Sequence, residues 1–459
     1  MNRTITRRTA LKRLAQGGVG LVLLRNALSA RAYAANEKLN LAQVGAGGRG
    51  KELVGGFARM ENLVALCDVN QSKAAAVYKE YPNVPKYDDF RKMLDAMAKQ
   101  IDAVVVATPD HTHAIASVTA MKAGKHVYCE KPLTGCVYEA RVMRQTAERQ
   151  KVATQMGNQG SSSGQFRRGV ELIQDGVLGE VREVYGFKDS GGADHKEAPK
   201  ETPPVPDYLK WDLWLGPIKE RAFHPRWLGW SAWRDFGTGE IGMWGSHSNY
   251  VAFTGLKVGS LWQAEAEAQP RIKVQAEVSG INRLSFPRWE AVHFQIPARG
   301  DLPPVTFHWV NGSGAPGGRK KIEDAMGKQL DWGDAGEKKW ADHAGALIVG
   351  SKGKMHLTGH NATFELLPAD GFKDVETKNP KRLPGSQGHE RDWLLACRGG
   401  KPPLSNFGLT GPYMEMLLLV NVATQFKDEL EYDPLEGKIV NHAEANAALR
   451  REYREGWSL

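Results

Sequence analysis

Cysteine is scarce in this chain. Its four cysteines, Cys67, Cys129, Cys136 and Cys397, form no C-x-x-C pair and are too few to staple a scaffold. Each therefore reads as a small core residue rather than a ligand or nucleophile, and no metal is expected. Long apolar runs are missing too. The two richest, Gly17–Leu24 and Gly411–Lys427, are too short to hold a stable membrane span. Acidic residues are absent from residues 1–34, which carry Arg3, Arg7, Arg8, Lys12, Arg13, Arg25 and Arg31. Without that segment the formal charge of +9 shrinks to 54 bases against 52 acids. A near-neutral body has no electrostatic footprint for a phosphate backbone, so no nucleic-acid partner is expected.

What is present is ordinary in bulk and specific in places. The chain has 459 residues, enough for two or three domains. Its 41% hydrophobic and 25% charged residues are those of a globular protein. The basic start reads as a targeting segment: Thr6-Arg7-Arg8-Thr9-Ala10-Leu11-Lys12, a short apolar run, then Ala32-Tyr33-Ala34 as a small-x-small cleavage site. It looks like a twin-arginine signal over residues 1–34, which predicts a periplasmic or otherwise exported protein.

The run Leu39-Asn40-Leu41-Ala42-Gln43-Val44 breaks into Gly45-Ala46-Gly47-Gly48-Arg49-Gly50, a pattern of strand, phosphate loop and helix. Gly45 permits the tight turn, Gly47 a close approach to a pyrophosphate, and Gly50 close packing of helix on strand. Leu63-Val64-Ala65-Leu66-Cys67 is a second apolar run. It ends at Asp68, where a carboxylate can take the ribose hydroxyls of an adenosine and repel a 2′-phosphate, which favours NAD over NADP. Helical patterns follow over Gln71–Tyr81 and Phe90–Met97, then the apolar strand Ile101–Ala107, helix Ala114–Ala123, strand His126–Cys129, helix Tyr138–Arg149 and strand Val152–Asn158. This alternation predicts a Rossmann-type, doubly wound parallel sheet over residues 36–160.

Two strand ends carry a resemblance. Thr108-Pro109 with His113, and Glu130-Lys131-Pro132, following the glycine loop in that order, resemble the Gfo/Idh/MocA oxidoreductases, named for glucose–fructose oxidoreductase and inositol dehydrogenase. The resemblance is close over about residues 39–160. It implies that Lys131 points at a substrate hydroxyl beside the nicotinamide. It also implies that Gly45, Gly47, Gly48, Arg49, Gly50, Asp68, Thr108, Pro109, His113, Glu130, Lys131 and Asn158 form the cofactor site. Independently, a lysine fixed at a strand end by a following proline is rigidly aimed and suited to acid–base work.

From residue 161 the pattern changes. Helix Phe166–Gln174 is followed by strand-like Val181–Phe187, Leu261–Glu267, Glu290–Ile296, Val305–Val310, Leu347–Val349 and Lys354–Leu357. These predict a mostly antiparallel sheet in a C-terminal α+β domain over 161–405, the substrate and oligomerisation domain. In the family, the outer face of such a sheet mediates homo-oligomers. Residues 406–459 are expected to form a helical segment packed back on the body. The insertion Asp189–Gly245 holds Trp211, Trp214, Trp227, Trp230, Trp233 and Trp244, flat faces suited to sugar rings. Pro199–Pro206 reads as an extended linker, and Gly312–Gly345 as a surface excursion without periodicity.

Gly237–His247 predicts the start of a helix. The family places an aspartate and a histidine four residues apart here, and His247 matches while Met243 stands at the aspartate's place. Deprotonation of the hydroxyl then falls to Lys131 and His247, or to another acid such as Asp235, Glu240 or Asp189; His224 and His195 are further candidates. The expected function is NAD-dependent oxidation of a sugar, polyol or glycoside hydroxyl. Outside the cytoplasm this needs a tightly bound cofactor restored within each cycle. Two alternatives stand beside it: glycoside hydrolysis by transient oxidation and elimination, and a non-catalytic periplasmic sugar-binding protein.

Overall fold

The computed structural model describes residues 38–265, 269–330, 332 and 344–459. The twin-arginine-like segment 1–34 lies outside the described residues. The N-terminal sheet has six parallel strands in the order β3-β2-β1-β4-β5-β6. They are β1 (Asn40–Val44), β2 (Asn62–Cys67), β3 (Lys86–Tyr87), β4 (Ala103–Val106), β5 (His126–Glu130) and β6 (Thr154–Gly157). Helices α1 (Arg49–Ala58), α2 (Gln71–Glu80), α3 (Phe90–Ala96), α4 (Asp110–Lys122) and α5 (Val137–Gln150) connect them. The strand order reverses between β1 and β4, so the turns after both open onto one crevice at the carboxyl ends of the strands.

β1 is buried on both faces, as a central parallel strand must be. Its one polar residue, Gln43, is 1% exposed and is used by the loop: its amide donates to the carbonyls of Gly45 at 2.8 Å and Gly50 at 2.7 Å. Helix α4 starts four residues before the sequence pattern placed it. Pro109 sets φ at −59° just ahead of it and Asp110 brings a carboxylate to its first turn, both helix-start features. Asp110, His111, Thr112 and His113 are therefore helical residues and not a loop at the strand end.

Beyond α6 (Gly164–Gln174), the second sheet has nine strands in the order β13-β12-β11-β7-β10-β9-β8-β14-β15. These are β7 (Val181–Lys188), β8 (Ile272–Val278), β9 (Glu290–Ile296), β10 (Val305–Asn311), β11 (Ala344–Gly350), β12 (Lys354–Thr358), β13 (Phe364–Leu367), β14 (Leu430–Asp433) and β15 (Lys438–Ile439). β7 and β10 pair in parallel and the other neighbours antiparallel. The molecule thus joins a Rossmann-type parallel sheet to a C-terminal, mostly antiparallel one, the expected fold class. One apolar core runs from Val104 and Val127 of the first sheet to Val184, Phe294, Phe307 and Ile348 on one face of the second.

Three local expectations fail. The described part of the expected strand Leu261–Glu267 is not a strand: Val258–Gln263 is a 3₁₀ helix with Leu261 and Trp262 turned into the core, and the next strand begins at Ile272. The apolar content was real, but it served a tight helical turn. Gly312–Gly345 is not all unpatterned surface. Arg319–Met326 forms α7, whose Ile322 and Met326, one turn apart, cover Tyr185, Phe187 and Leu347 on the second face of the sheet. The region 237–247 is not a regular helix start but a π-helical turn, Ile241–Gly245, running into Ser246–Ser248.

After α8 (His389–Cys397), the apolar α9 (Phe407–Ala423) packs along α5. Gly411 makes that approach possible, because a β-carbon there would lie 2.8 Å from Cβ of Arg144. The seam is tied by Glu415, which is fully buried. Its Oε2 accepts from Arg141 at 2.7 Å, Trp262 Nε1 at 2.8 Å and Tyr432 Oη at 2.6 Å. The chain beyond α9 adds β14 and β15 to the sheet, so the last segment is not purely helical.

Candidate active site

Two cavities meet at the crevice. The first, about 420 Å³, is lined by Gly45, Gly47, Gly48, Arg49, Asp68, Asn70, Lys73, Thr108 and Pro109 among others. The second, about 700 Å³, is lined by Arg49, Thr108, Asp110, Glu130, Lys131, Gln159, Trp230, Met243, Trp244, His247 and His360. Arg49, Ala107, Thr108 and Trp230 border both, so a ligand in one reaches the other.

The glycine loop is shaped by its missing side chains. A β-carbon on Gly45, at φ 88°, would lie 2.3 Å from the Ala107 carbonyl oxygen. One on Gly50 would lie 2.1 Å from the Gly45 carbonyl oxygen. Asp68, expected at a ribose, is already engaged with the loop. Its Oδ2 accepts from the amides of Ala46 at 2.8 Å and Gly47 at 3.1 Å, while Oδ1 accepts from Asn70 at 2.8 Å. Burial pushes its carboxyl up and these amides hold it down, with a net rise. A carboxylate has about four lone-pair positions, so Oδ1 keeps room for a hydroxyl donor.

The residues fit a dinucleotide. The glycine loop lines an open groove at the start of α1, the place where a helix N-terminus meets a phosphate. Asn158, just after β6, lines neither cavity; it is 2% exposed, and neither its amide nitrogen nor its oxygen has a partner among the described residues.

His113 does not line either cavity. It is 1% exposed and clamps two site segments together, with Nδ1 2.7 Å from the Pro132 carbonyl and Nε2 2.7 Å from that of Thr108. Burial lowers its pKa to about 4 against the pull of those carbonyls, so the ring is neutral and donates its one N–H to a single carbonyl of the two. Glu130 is a second tie. It accepts from Arg49 Nε at 3.0 Å, Gln159 Nε2 at 3.2 Å and the Lys131 amide at 3.2 Å. Both fix the turn that aims Lys131.

Lys131 Nζ lies 3.4 Å from the Met243 carbonyl oxygen and 3.9 Å from its sulfur. His247 lines the same cavity, its ring 4.8 Å from that of His360 and its Nδ1 without a partner among the described residues. Burial, followed by Lys131 and His360, drives its pKa well below the usual imidazole value. A neutral, partly unsatisfied imidazole can accept a proton or hydrogen bond.

None of the proposed substitutes for the aspartate borders this cavity. Asp235 pairs with Arg221 elsewhere, Asp189 is held by Arg319, and Glu240 is buried nearby without lining it. His195 stacks on Trp233, and His224 caps a short helix through the Arg226 amide. Of the six tryptophans, Trp211, Trp214, Trp227 and Trp233 pack with Phe223 and Phe236 in a core of their own. Only Trp230 and Trp244 face the cavity. Sequence reasoning missed Asp110, which follows Thr108-Pro109 and opens α4, and His360, from the β12–β13 turn, which no sequence signal marks.

Residues 39–158 match the family model described as "Oxidoreductase family, NAD-binding Rossmann fold". The chain is 36% identical over 121 residues to the D-glucoside 3-dehydrogenase of Escherichia coli, covering 26% of this chain and 33% of that protein. It is 31% identical over 116 residues to the glucose-6-phosphate 3-dehydrogenase of Bacillus subtilis, covering 25% and 32%. The chain thus matches about a third of the length of these curated relatives. Over nearly its whole fold it superposes on a levoglucosan dehydrogenase solved with NADH. The TM-score is 0.55 at 14% identity, covering 85% of this chain and 97% of the other. Residues 39–158 thus match a NAD-binding Rossmann oxidoreductase family, and the chain shares the two-domain fold of this solved dehydrogenase.

Proposed function

We propose that the protein is an NAD-dependent oxidoreductase acting on a hydroxyl of a sugar, polyol or glycoside, with the dinucleotide retained and restored within each cycle. The observation that carries this reading is the junction of the two cavities. The groove over the glycine loop opens, past Arg49 and Thr108, onto the space holding Lys131, His247 and His360. Two partly exposed tryptophans, Trp230 and Trp244, supply ring faces there, and the polar side chains supply partners for hydroxyls. The relatives act on glucosides and glucose 6-phosphate by their names, which supports a carbohydrate substrate.

When bound, the dinucleotide would supply the hydride acceptor. Gly45, Gly47, Gly48, Arg49 and Asp68 would hold its phosphates and ribose. Lys131 would hold the substrate hydroxyl and stabilise negative charge on its oxygen, while His247 would orient that hydroxyl as a neutral acceptor. Glu130 and His113 position Lys131. Export by the twin-arginine route and assembly through the C-terminal sheet belong to the same proposal: a folded, cofactor-loaded protein suits that route.

Purified exported protein is denatured and its supernatant assayed for NAD. Intact protein is then mixed with a panel of free sugars and aryl glycosides, with Lys131→Ala as control. Reduction of bound NAD by a sugar, lost in the variant, supports the reading. Protein that carries no dinucleotide and ignores added NAD overturns it.

A further inference from the structure

We propose that Asp110 is the proton acceptor behind Lys131, receiving through the lysine the proton that a substrate hydroxyl gives up. The proposal rests on the oxidoreductase reading and supplies the carboxylate that Met243 removes from it. Lys131 Nζ has only a carbonyl at 3.4 Å and a thioether at 3.9 Å on its Met243 side, and neither can take a proton at neutral pH. Three carboxylates stand close to it. Glu130 is committed to Arg49 and Gln159, and Glu240 does not line the cavity. Asp110 lines the same cavity as Lys131.

Its geometry suits a proton acceptor. The side chain is 1% exposed. Oδ2 is anchored by the Thr238 hydroxyl at 2.6 Å, and Thr238 is itself held in place, its carbonyl accepting from Asn421 at 2.9 Å. Oδ1 is buried and has no partner among the described residues. An orphaned carboxylate oxygen is costly unless it binds something, and a proton is the smallest thing it can bind. The groups facing it are Lys131 and Cys129 from β5 and its turn, Arg451 from the C-terminal segment, and Thr238. Arg49, Glu130, His247 and His360 stand around the same cavity. Burial pushes the Asp110 carboxyl up to about 7, while Thr238, Lys131 and Arg451 hold it from going higher.

The step balances as follows. Lys131 Nζ is turned toward Met243 and makes no hydrogen bond or ion pair with Asp110, so the lysine must swing across the cavity: the substrate O–H proton passes to Nζ, and the swung Nζ releases one to Asp110 Oδ1. The hydride leaves the adjacent carbon for the nicotinamide of the bound dinucleotide, which gains the two electrons, and the substrate departs as a carbonyl compound. The net change in the protein is one carboxylate converted to one carboxylic acid. The lysine is a conduit and returns unchanged.

Two measurements test this. In the first, side-chain carboxyls of aspartate are labelled with carbon-13 in the full-length holoenzyme and titrated. One signal is expected to titrate near pH 7, to be missing in Asp110→Asn, and to move to higher pH in Lys131→Met, where the cation beside it is gone. A signal that stays put in Lys131→Met overturns the pairing, and this arm decides the matter even if Asp110→Asn does not fold.

In the second, reduction of the bound dinucleotide is followed against pH with whichever sugar of the panel is active. The wild-type rate should fall away below about pH 7. In Asp110→Asn it should be at least about tenfold slower at pH 7 and recover as pH rises, with NADH affinity unchanged. Superimposable pH profiles overturn the proposal. If no sugar reduces the wild-type dinucleotide, the oxidoreductase reading fails, and the titration still shows whether Asp110 and Lys131 are coupled.

Discussion

Replacing Gly50 by alanine should cripple nucleotide binding with a change of one carbon. The added β-carbon would lie 2.1 Å from the Gly45 carbonyl oxygen, 2.9 Å from its carbon and 3.0 Å from Gln43 Nε2. Those neighbours are backbone and a side chain bonded to it, so the loop must retreat by about 1 Å to restore van der Waals contact. Moving Gly45 also strains its own close approach to Ala107 and the two hydrogen bonds from Gln43. Overpacking of this kind costs about 1–3 kcal/mol of stability. The loop amides leave their positions, so affinity for NADH should drop at least about tenfold, or ~1.4 kcal/mol. Gly56→Ala is the internal control. It lies in the same helix with no atom within 4 Å of the new carbon, so it should stabilise by about 0.4–1 kcal/mol and leave binding untouched. Isothermal titration with NADH and denaturant unfolding read both quantities. A Gly50→Ala protein that binds NADH like the parent would refute the account of the loop.

Lys131→Ala should slow reduction of bound NAD by about 10²–10⁴-fold while NADH still binds, as stopped-flow absorbance would show. Asp68→Asn keeps an acceptor for the loop amides but removes the charge facing a ribose, so the ratio of NADPH to NADH affinity should rise about tenfold in paired titrations. Glu171 accepts from the amides of Lys381, Arg382 and Leu383 and from Arg168. Burial pushes its carboxyl up, but these donors more than reverse that and bring it to about 2. A depressed carboxyl gives stability that is complete above its ordinary range and is lost as pH falls from about 4.5 toward about 2. Urea midpoints should therefore decline over that window in the wild type and much less steeply in Glu171→Gln.

Much of the cofactor half was legible because its signals are local. The glycines after β1, Asp68 at the end of β2 and Glu130-Lys131-Pro132 after β5 each follow from strand ends that apolar patterning locates, and the cavities assemble around them. The substrate half was less legible. Met243 and His247 are brought to Lys131 by a π-helical turn, which adds a residue to the helical period and so escapes a search at 3.6 residues per turn. His360 reaches the cavity from a turn between strands 113 residues downstream of His247, a contact no local pattern encodes. The tryptophans misled because composition does not tell a core from a platform. Four of the six pack against one another in pairs, Trp211 stacked on Trp214 and Trp227 edge-on to Trp233, and only their packing reveals it. Asp110 was hidden by a boundary error: as loop it was one polar residue among several, whereas in the first turn of α4 it is fixed and sunk out of solvent.

The Glu415 seam bears on how molecules enter and leave. Proteins built from two lobes commonly admit ligands by swinging the lobes apart on a hinge. Here such a swing would pull Arg141, on the nucleotide lobe, from a carboxylate that also holds Trp262 and Tyr432 of the other lobe. Stranding that buried charge would cost about 3–5 kcal/mol. The buried carboxylate thereby opposes any hinge motion that would part the two lobes.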